Sequence, residues 1–395
     1  MVERIEADVV VVGAGASGAS VAFHLAARGR KVVLVERFTE GSQTSPRAAG
    51  LTQQIRQTEL LTRISVRSCQ KIVGFTAETG EPMTCFVSGS VKLARRPEHV
   101  TQLAAEVARA ARFGVNLRSI EPSALPGLSP FISPRGVLAA THNPDDLYLE
   151  PVQIPVGYAH GAVARGARLL VNRPVRRLLL DGGRAAGVAL DGVEIRAPAI
   201  VPTRHQLLIS EPLDGVRPEQ PIARVVDANV YVRPDSGGLL LGGYEPDPVQ
   251  YGDDRLPDDL QIKDLELELG VLRRLADSVR EQFPVFQDVF ARGAIRIHRG
   301  GLPTMTPDAR FLLGPTGALP GLFIATGCNV GGLSTAPALG EALAELIDTG
   351  SASIGDLSPL DPDRFGAIDP ETLFAATHRE YAYQYWAEKP SAAGG

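Results

Sequence analysis

The chain has 395 residues, 44% of them hydrophobic and 22% charged, with a formal net charge of −5. That composition is ordinary for a globular protein long enough to hold two domains with large cores, and it lacks the basic footprint of a nucleic-acid binder. Three cysteines, Cys69, Cys85 and Cys328, form no CxxC pair and leave one unmatched, which suits a reducing compartment without a zinc or iron–sulfur site. Glu3, Glu6 and Asp8 precede the first apolar run, so that run does not read as a signal peptide. No stretch of about 18 uninterrupted apolar residues suggests a membrane span, and a cytoplasmic protein is expected.

In chain order, the first element is Val9-Val10-Val11-Val12, a run of β-branched residues that reads as a strand buried on both faces. It runs into Gly13-Ala14-Gly15-Ala16-Ser17-Gly18, where Gly13 permits the turn, Gly15 lets a pyrophosphate approach the backbone, and Gly18 lets the next helix pack on the strand. Ala22, Leu25 and Ala26 supply that helix's apolar face and Gly29 ends it. A second strand, Val32–Val35, finishes on Glu36, whose carboxylate suits ribose hydroxyls. Strand, helix, second strand and terminal acid in register predict a bound dinucleotide, a far stronger signal than a bare GxGxxG.

A polar, turn-rich loop follows over 41–50. Helices are expected at Glu59–Phe75, Glu98–Arg112 and Pro151–Arg165, with a strand at Cys85–Leu93. Further strands are read at Arg168–Val171, Ile200–Ser210, Val225–Val232 and Gly238–Gly243, with a hairpin around Asp181-Gly182-Gly183. Gln261–Phe283 is the longest helical pattern. Finally, Gly321–Gly327 reads as a short buried strand entering a Gly-rich turn, then a Ser334–Ile347 helix capped by Ser334 or Thr335. The expected class is α/β (α+β). A discontinuous Rossmann-like domain is read from residues 1–80, 151–205 and 305–350. Residues 81–150 and 206–304 form a second domain on an antiparallel sheet, and 351–395 a C-terminal extension.

Taken together, the fingerprint, Ser45–Leu51, Tyr148–Pro151, Pro202–Gln206, Gly242–Pro246, Thr306-Pro307-Asp308 and the Gly321–Ile347 unit resemble the D-amino-acid oxidase-like FAD oxidoreductases, in their sarcosine and dimethylglycine dehydrogenase branch. The resemblance implies FAD held by Gly13, Gly15, Ala16, Ser17, Gly18, Glu36, Arg37, Ser45, Arg47, Ala48, Val175, Gly327, Asn329, Val330, Gly331, Gly332 and Leu333. It also aims the positive N-terminus of the last helix at the pyrimidine end of the flavin.

The chain departs from that family pattern in three places. Relatives often anchor FAD covalently through a histidine or a cysteine; those positions here are Arg47 and Gly301, so the FAD is expected to be non-covalent. Sarcosine-type oxidases place a lysine near Leu239-Leu240-Leu241 to assist oxygen reduction, so a dehydrogenase with another electron acceptor is expected here. The stretch from Val188 to Ile200 is too short for the usual strand and helix against FAD. The folate-binding extension of the larger dehydrogenases is not expected in this chain.

The resemblance places His205 before the flavin as a base for the substrate ammonium, the alternative being a hydrogen-bonded strand histidine. Tyr231 and Tyr244 are expected to hydrogen-bond the amine or wall the pocket, or to be ordinary core residues. Arg56 matches an arginine that holds the substrate carboxylate, or is a solvated surface residue. His298 and Arg299 lead toward the flavin; His24, His99, His142, His160 and His378 lack a recognisable constellation, and no metal site is expected. The implied function is oxidation of a small-molecule amine or amino acid at a C–N bond, with N-methyl amino acids such as sarcosine or dimethylglycine favoured. A D-amino-acid or imino-acid dehydrogenase, and a flavin-binding subunit without turnover, remain open.

Overall fold

The structure, a computed structural model, describes residues 5–190, 201–252, 256–257 and 259–390. Val9–Val12, Val32–Val35 and Arg168–Leu170 form a parallel three-stranded sheet in that order. Gly13 takes φ +98° at the turn, and a Cβ on Gly18 would stand 1.9 Å from the Gly13 carbonyl oxygen, so the close helix–strand approach does require glycine. The Ala16–Ala27 helix is rich in small residues and is sandwiched between the Gln153–Ala164 and Gly332–Thr349 helices. At the second crossing a Cβ on Gly340 would lie 2.2 Å from Ser20 Oγ.

The four opening valines are not all buried. Val12 is 47% exposed and turns toward a cavity, because the first strand pairs only with Val32–Val35 among the described residues. The short stretch 191–200, on which the expected missing strand and helix were placed, lies outside the described residues.

Eight strands form the second layer, in the order Ile295–Gly301, His205–Ser210, Gly238–Gly243, Val230–Asp235, Ile222–Val225, Ser90–Ala94, Ala139–Asn143 and Arg118–Ile120. The sheet is mixed rather than purely antiparallel, since Ile222–Val225 runs parallel to Ser90–Ala94. Its faces separate by the two-residue period of a strand. Leu208, Leu241, Val232, Ala223 and Val91 pack under the Leu269–Ser278 and Val285–Arg292 helices. Leu207, Tyr231, Arg224 and Lys92 face the cavity instead.

Several boundaries differ from the sequence reading. The expected strand Val225–Val232 is two strands joined by a turn at Asn229, which takes φ +54°. Cys85–Leu93 is likewise divided at Gly89, φ +75°. The Gln261–Phe283 pattern contains an extended break at Leu265 before a ten-residue helix, and the longest helix is Gly332–Thr349 at 18 residues. That helix begins at an uncapped Gly331. Ser334 and Thr335 lie inside its first turn and donate their hydroxyls back to the Gly331 carbonyl.

Candidate active site

A cavity of about 700 Å³ lies between the two layers. At one end are Gly13, Gly15, Ala16, Ser17 and Gly18, where Ser45 Oγ accepts from the Ala16 N–H at 3.1 Å. A Cβ on Gly15 would meet only Ser45 Oγ, at 3.4 Å, so the backbone there is open to a phosphate. Arg47 and Ala48 form the adjacent wall; Arg47 has a buried Nε without an acceptor, and burial together with Arg299 holds its guanidinium pKa below the ordinary value.

The opposite wall is the turn Asn329-Val330-Gly331-Gly332-Leu333 at the start of the longest helix. Asn329 and Val330 adopt φ +43° and +55°, an uncommon pair that is costly for a β-branched residue and typical of strained functional turns. The geometry is held from outside. Asn329 Oδ1 accepts from Thr306 N–H at 2.9 Å, and Nδ2 donates to the Gly327 carbonyl at 2.7 Å. The helix N-terminus therefore opens its first N–H groups and its positive dipole end into the cavity. Two helix N-termini, an open glycine turn and an orphaned guanidinium fit an elongated dinucleotide with anionic phosphates and an electron-accepting ring.

Not every predicted cofactor residue reaches this cavity. Glu36, Arg37, Val175 and Gly327 lie outside its walls. The Glu36 carboxylate accepts from Ala14 N–H at 2.8 Å and Phe38 N–H at 2.9 Å, bracing the fingerprint turn. A carboxylate offers about four lone-pair sites, so capacity for a ribose remains. Arg37 is exposed over Phe38, and Val175 is half-buried before the Arg177–Asp181 strand. Gly327 serves packing, since a Cβ there would stand 2.6 Å from Thr306 Cγ2.

On the sheet side, His205, Tyr231, Tyr244 and Arg56 all line the cavity. His205 stacks on Tyr244 with ring centroids 5.1 Å apart. Its Nδ1 lies 2.7 Å from Tyr381 Oη and its Nε2 2.8 Å from Tyr231 Oη. Tyr381 donates its one hydroxyl proton to the Arg204 carbonyl, so Nδ1 carries the imidazole proton and Nε2 accepts from Tyr231. Burial lowers the His205 pKa to about 4. The ring is therefore neutral at physiological pH, the form a base requires, and both of its nitrogens are engaged in hydrogen bonds.

Arg56 donates Nε–H to Ser65 Oγ at 3.0 Å, while its terminal nitrogens have no acceptor among the described residues. Burial and the neighbouring Arg224 lower its pKa. Arg224, Lys92, Glu106, Arg109, Tyr385 and Trp386 also border the cavity and were missed. The signal for the last two is aromatic density, with four aromatics among the six residues Tyr381–Trp386. This C-terminal segment is pinned by Gln102 Nε2 donating to the Tyr385 carbonyl at 2.7 Å and by Asn229 Oδ1 accepting from Tyr385 N–H at 3.0 Å. His298 instead faces Gln206, and His24 lies beside Glu78 and Glu341, where the Lys71 ammonium already fills the space between the acids. No helix among the described residues is long and apolar enough to cross a membrane.

Comparison with known proteins agrees with this architecture. The chain is 28% identical over 90% of its length to the 4-methylaminobutanoate oxidase (formaldehyde-forming) of Paenarthrobacter nicotinovorans, covering 45% of that protein. It is 26% identical over 95% of its length to mitochondrial dimethylglycine dehydrogenase of Mus musculus, covering 46% of it. The chain therefore spans about half the length of these relatives. Its fold matches that of an L-proline dehydrogenase from P. horikoshii with a TM-score of 0.79, 24% identity and coverage of 92% of this chain and 98% of that one. Residues 8–346 match the family described as DAO, FAD dependent oxidoreductase, and the chain belongs to that family, whose cofactor is FAD.

Proposed function

We propose that the protein oxidises a C–N bond of a secondary or tertiary amine that carries a carboxylate, with an N-methyl amino acid as the favoured substrate. The observation that carries this reading is Arg56, a guanidinium in the cavity wall whose terminal nitrogens lack acceptors, set in the same cavity as the aromatic group His205, Tyr231 and Tyr244. A guanidinium fork matches a carboxylate, and the aromatic faces suit the N-alkyl group. FAD, when bound, supplies a hydride acceptor. The names of the relatives, an N-methyl amino acid oxidase and a dimethylglycine dehydrogenase, lie in the same substrate class.

The protein's role is to bind, orient and keep the amine unprotonated. Because His205 is neutral and engaged, the cavity achieves the last of these through charge. Arg56, Arg109 and Arg224 raise the positive potential around a bound ammonium and lower its pKa. The proton then leaves to solvent as the amine enters. Tyr231, its hydroxyl proton committed to His205, offers an oxygen that accepts from the N–H of a secondary amine and orients it. Non-covalent FAD and slow reaction with oxygen complete the reading, since Arg47 and Gly301 offer no covalent anchor and Leu239-Leu240-Leu241, with Leu240 buried against Tyr231 and Tyr244, carries no lysine.

Anaerobic flavin bleaching tests the proposal with sarcosine and dimethylglycine beside dimethylamine, which lacks the carboxylate. Reduction by the amino acids and a large loss of apparent affinity in Arg56→Gln are expected. Flavin that no amine of a broad panel reduces would support a flavin-binding subunit instead.

A further inference from the structure

One cross-strand row runs along the cavity floor. Leu207 pairs with Gly242, Gly242 with Tyr231, Tyr231 with Arg224, and Arg224 with Lys92. Neighbouring strands are about 4.8 Å apart, so the row leads from the aromatic end through Arg224 to Lys92, roughly 10 Å beyond Tyr231 at the backbone. Over it lies the Pro97–Phe113 helix, which contributes Glu106 and Arg109.

The charges at this end do not balance. Lys92 donates to Glu106 Oε2 at 2.6 Å. Arg224, 2% exposed, donates Nη2–H to the Thr52 carbonyl at 2.6 Å, and its buried Nη1 has no acceptor. Arg109 donates Nε–H to the Arg56 carbonyl at 3.0 Å, and its terminal nitrogens have no acceptor among the described residues. Counting Arg56, four cations stand against two buried carboxylates, Glu106 and Asp146, and Asp146 is held behind the wall by Ser90 Oγ and Gln54 N–H. The buried cations Lys92 and Arg224 have Glu106 and Asp146 as counter-charges, which leaves the half-buried Arg56 and Arg109 uncompensated; a partly desolvated cation without a counter-charge is costly, so the site as built has room for anions. One α-carboxylate on Arg56 would leave an uncompensated positive charge at the far end.

We propose that Lys92, Arg109 and Arg224 form a second carboxylate subsite, so that the substrate is a secondary or tertiary amine bearing two carboxylates, one on Arg56 and one at this end. The proposal rests on the amine-oxidation reading and narrows its substrate class. Trp386, the only tryptophan in the chain, borders the same cavity and supplies a readout independent of turnover.

The test uses purified, FAD-loaded protein. Trp386 fluorescence is titrated with glutarate and with pentanoate, which differ by one carboxylate. In parallel, anaerobic flavin reduction is compared for N-methylglutamate and N-methylaspartate against sarcosine and 4-methylaminobutanoate. Glutarate binding about 10- to 100-fold tighter than pentanoate is expected, as for hydrogen bonds to a charged group. N-methyl dicarboxylates should show the same preference in KM rather than kcat. Arg109→Gln should collapse the dicarboxylate-to-monocarboxylate ratio, and Arg224→Lys should retain some of it. Equal affinity for glutarate and pentanoate, or a monocarboxylate of any spacer length matching the dicarboxylates, overturns the second subsite while leaving amine oxidation standing. Discriminating fluorescence without any flavin reduction would keep the subsite and remove the oxidation reading.

Discussion

His205 Nε2 accepts a hydrogen bond from Tyr231 Oη at 2.8 Å, while its Nδ1 is committed to Tyr381. With burial holding the ring near pKa 4, His205 is neutral throughout the range in which an amine substrate deprotonates. We propose that His205 acts through Tyr231, as a positioning residue. His205→Ala is expected to slow anaerobic flavin reduction by about tenfold, the scale of one lost hydrogen bond. That deficit should be constant from pH 6 to pH 9 in stopped-flow measurements. A deficit that shrinks with rising pH would return the proton-acceptor role to His205.

Glu36 holds the fingerprint turn from below through Ala14 N–H and Phe38 N–H. Its replacement by alanine should weaken FAD binding by about 1.5–3 kcal/mol, because bonds to a charged acceptor are lost. Glu371→Ala, at an exposed position on the last helix, serves as the control. Equal FAD dissociation constants for the two variants would separate Glu36 from the cofactor.

Glu245, 6% exposed, has a carboxyl pushed up to about 7 by burial. The unfolded chain ionises this group near the ordinary value of 4.5. The stability contributed by the protonated form is thus intact below about pH 4.5 and is lost as pH rises through 7. Thermal melts of Glu245→Gln should show a Tm advantage over wild type that grows from pH 5 to pH 8. An advantage that shrinks over that interval would mean the Arg204 ion pair dominates.

Gly340 faces Ser20 so closely that an added Cβ would also meet the Ser20 backbone carbonyl carbon at 2.7 Å. Gly340→Ala must push apart the pair of helices that frames the cavity, at a cost of about 1–3 kcal/mol. Chemical denaturation should register that loss; an unchanged midpoint would show that the helix pair tolerates separation.

The nucleotide end of the site was legible because its requirements are local. Gly13, Gly15 and Gly18 meet a backbone need that no other residue meets, and their spacing records it. The catalytic end was legible only by resemblance, as His205, Tyr231, Tyr244 and Arg56 come from distant segments joined by sheet register. Arg224 and Lys92 were missed for the same reason: nothing near either residue announces that they share a row with Tyr231. Tyr385 and Trp386 return to the cavity, and Tyr381 backs His205, from a C-terminal segment that carries no motif. The left-handed Asn329-Val330 turn was also hidden, since valine is the last residue expected there. The longest helix was misplaced because an amphipathic pattern over 261–283 continues through a break that only tertiary packing imposes.

Oxidation of a carboxylate-bearing amine at bound FAD can be followed in a single anaerobic titration. Purified protein is mixed with increments of an N-methyl amino acid while flavin absorbance and formaldehyde are followed together. Bleaching at one equivalent of substrate per flavin is expected, with one equivalent of formaldehyde, slow recolouring on admission of air, and complete release of flavin from the polypeptide by acid. Flavin that stays oxidised across N-methyl mono- and dicarboxylates, or that bleaches without formaldehyde, would contradict it.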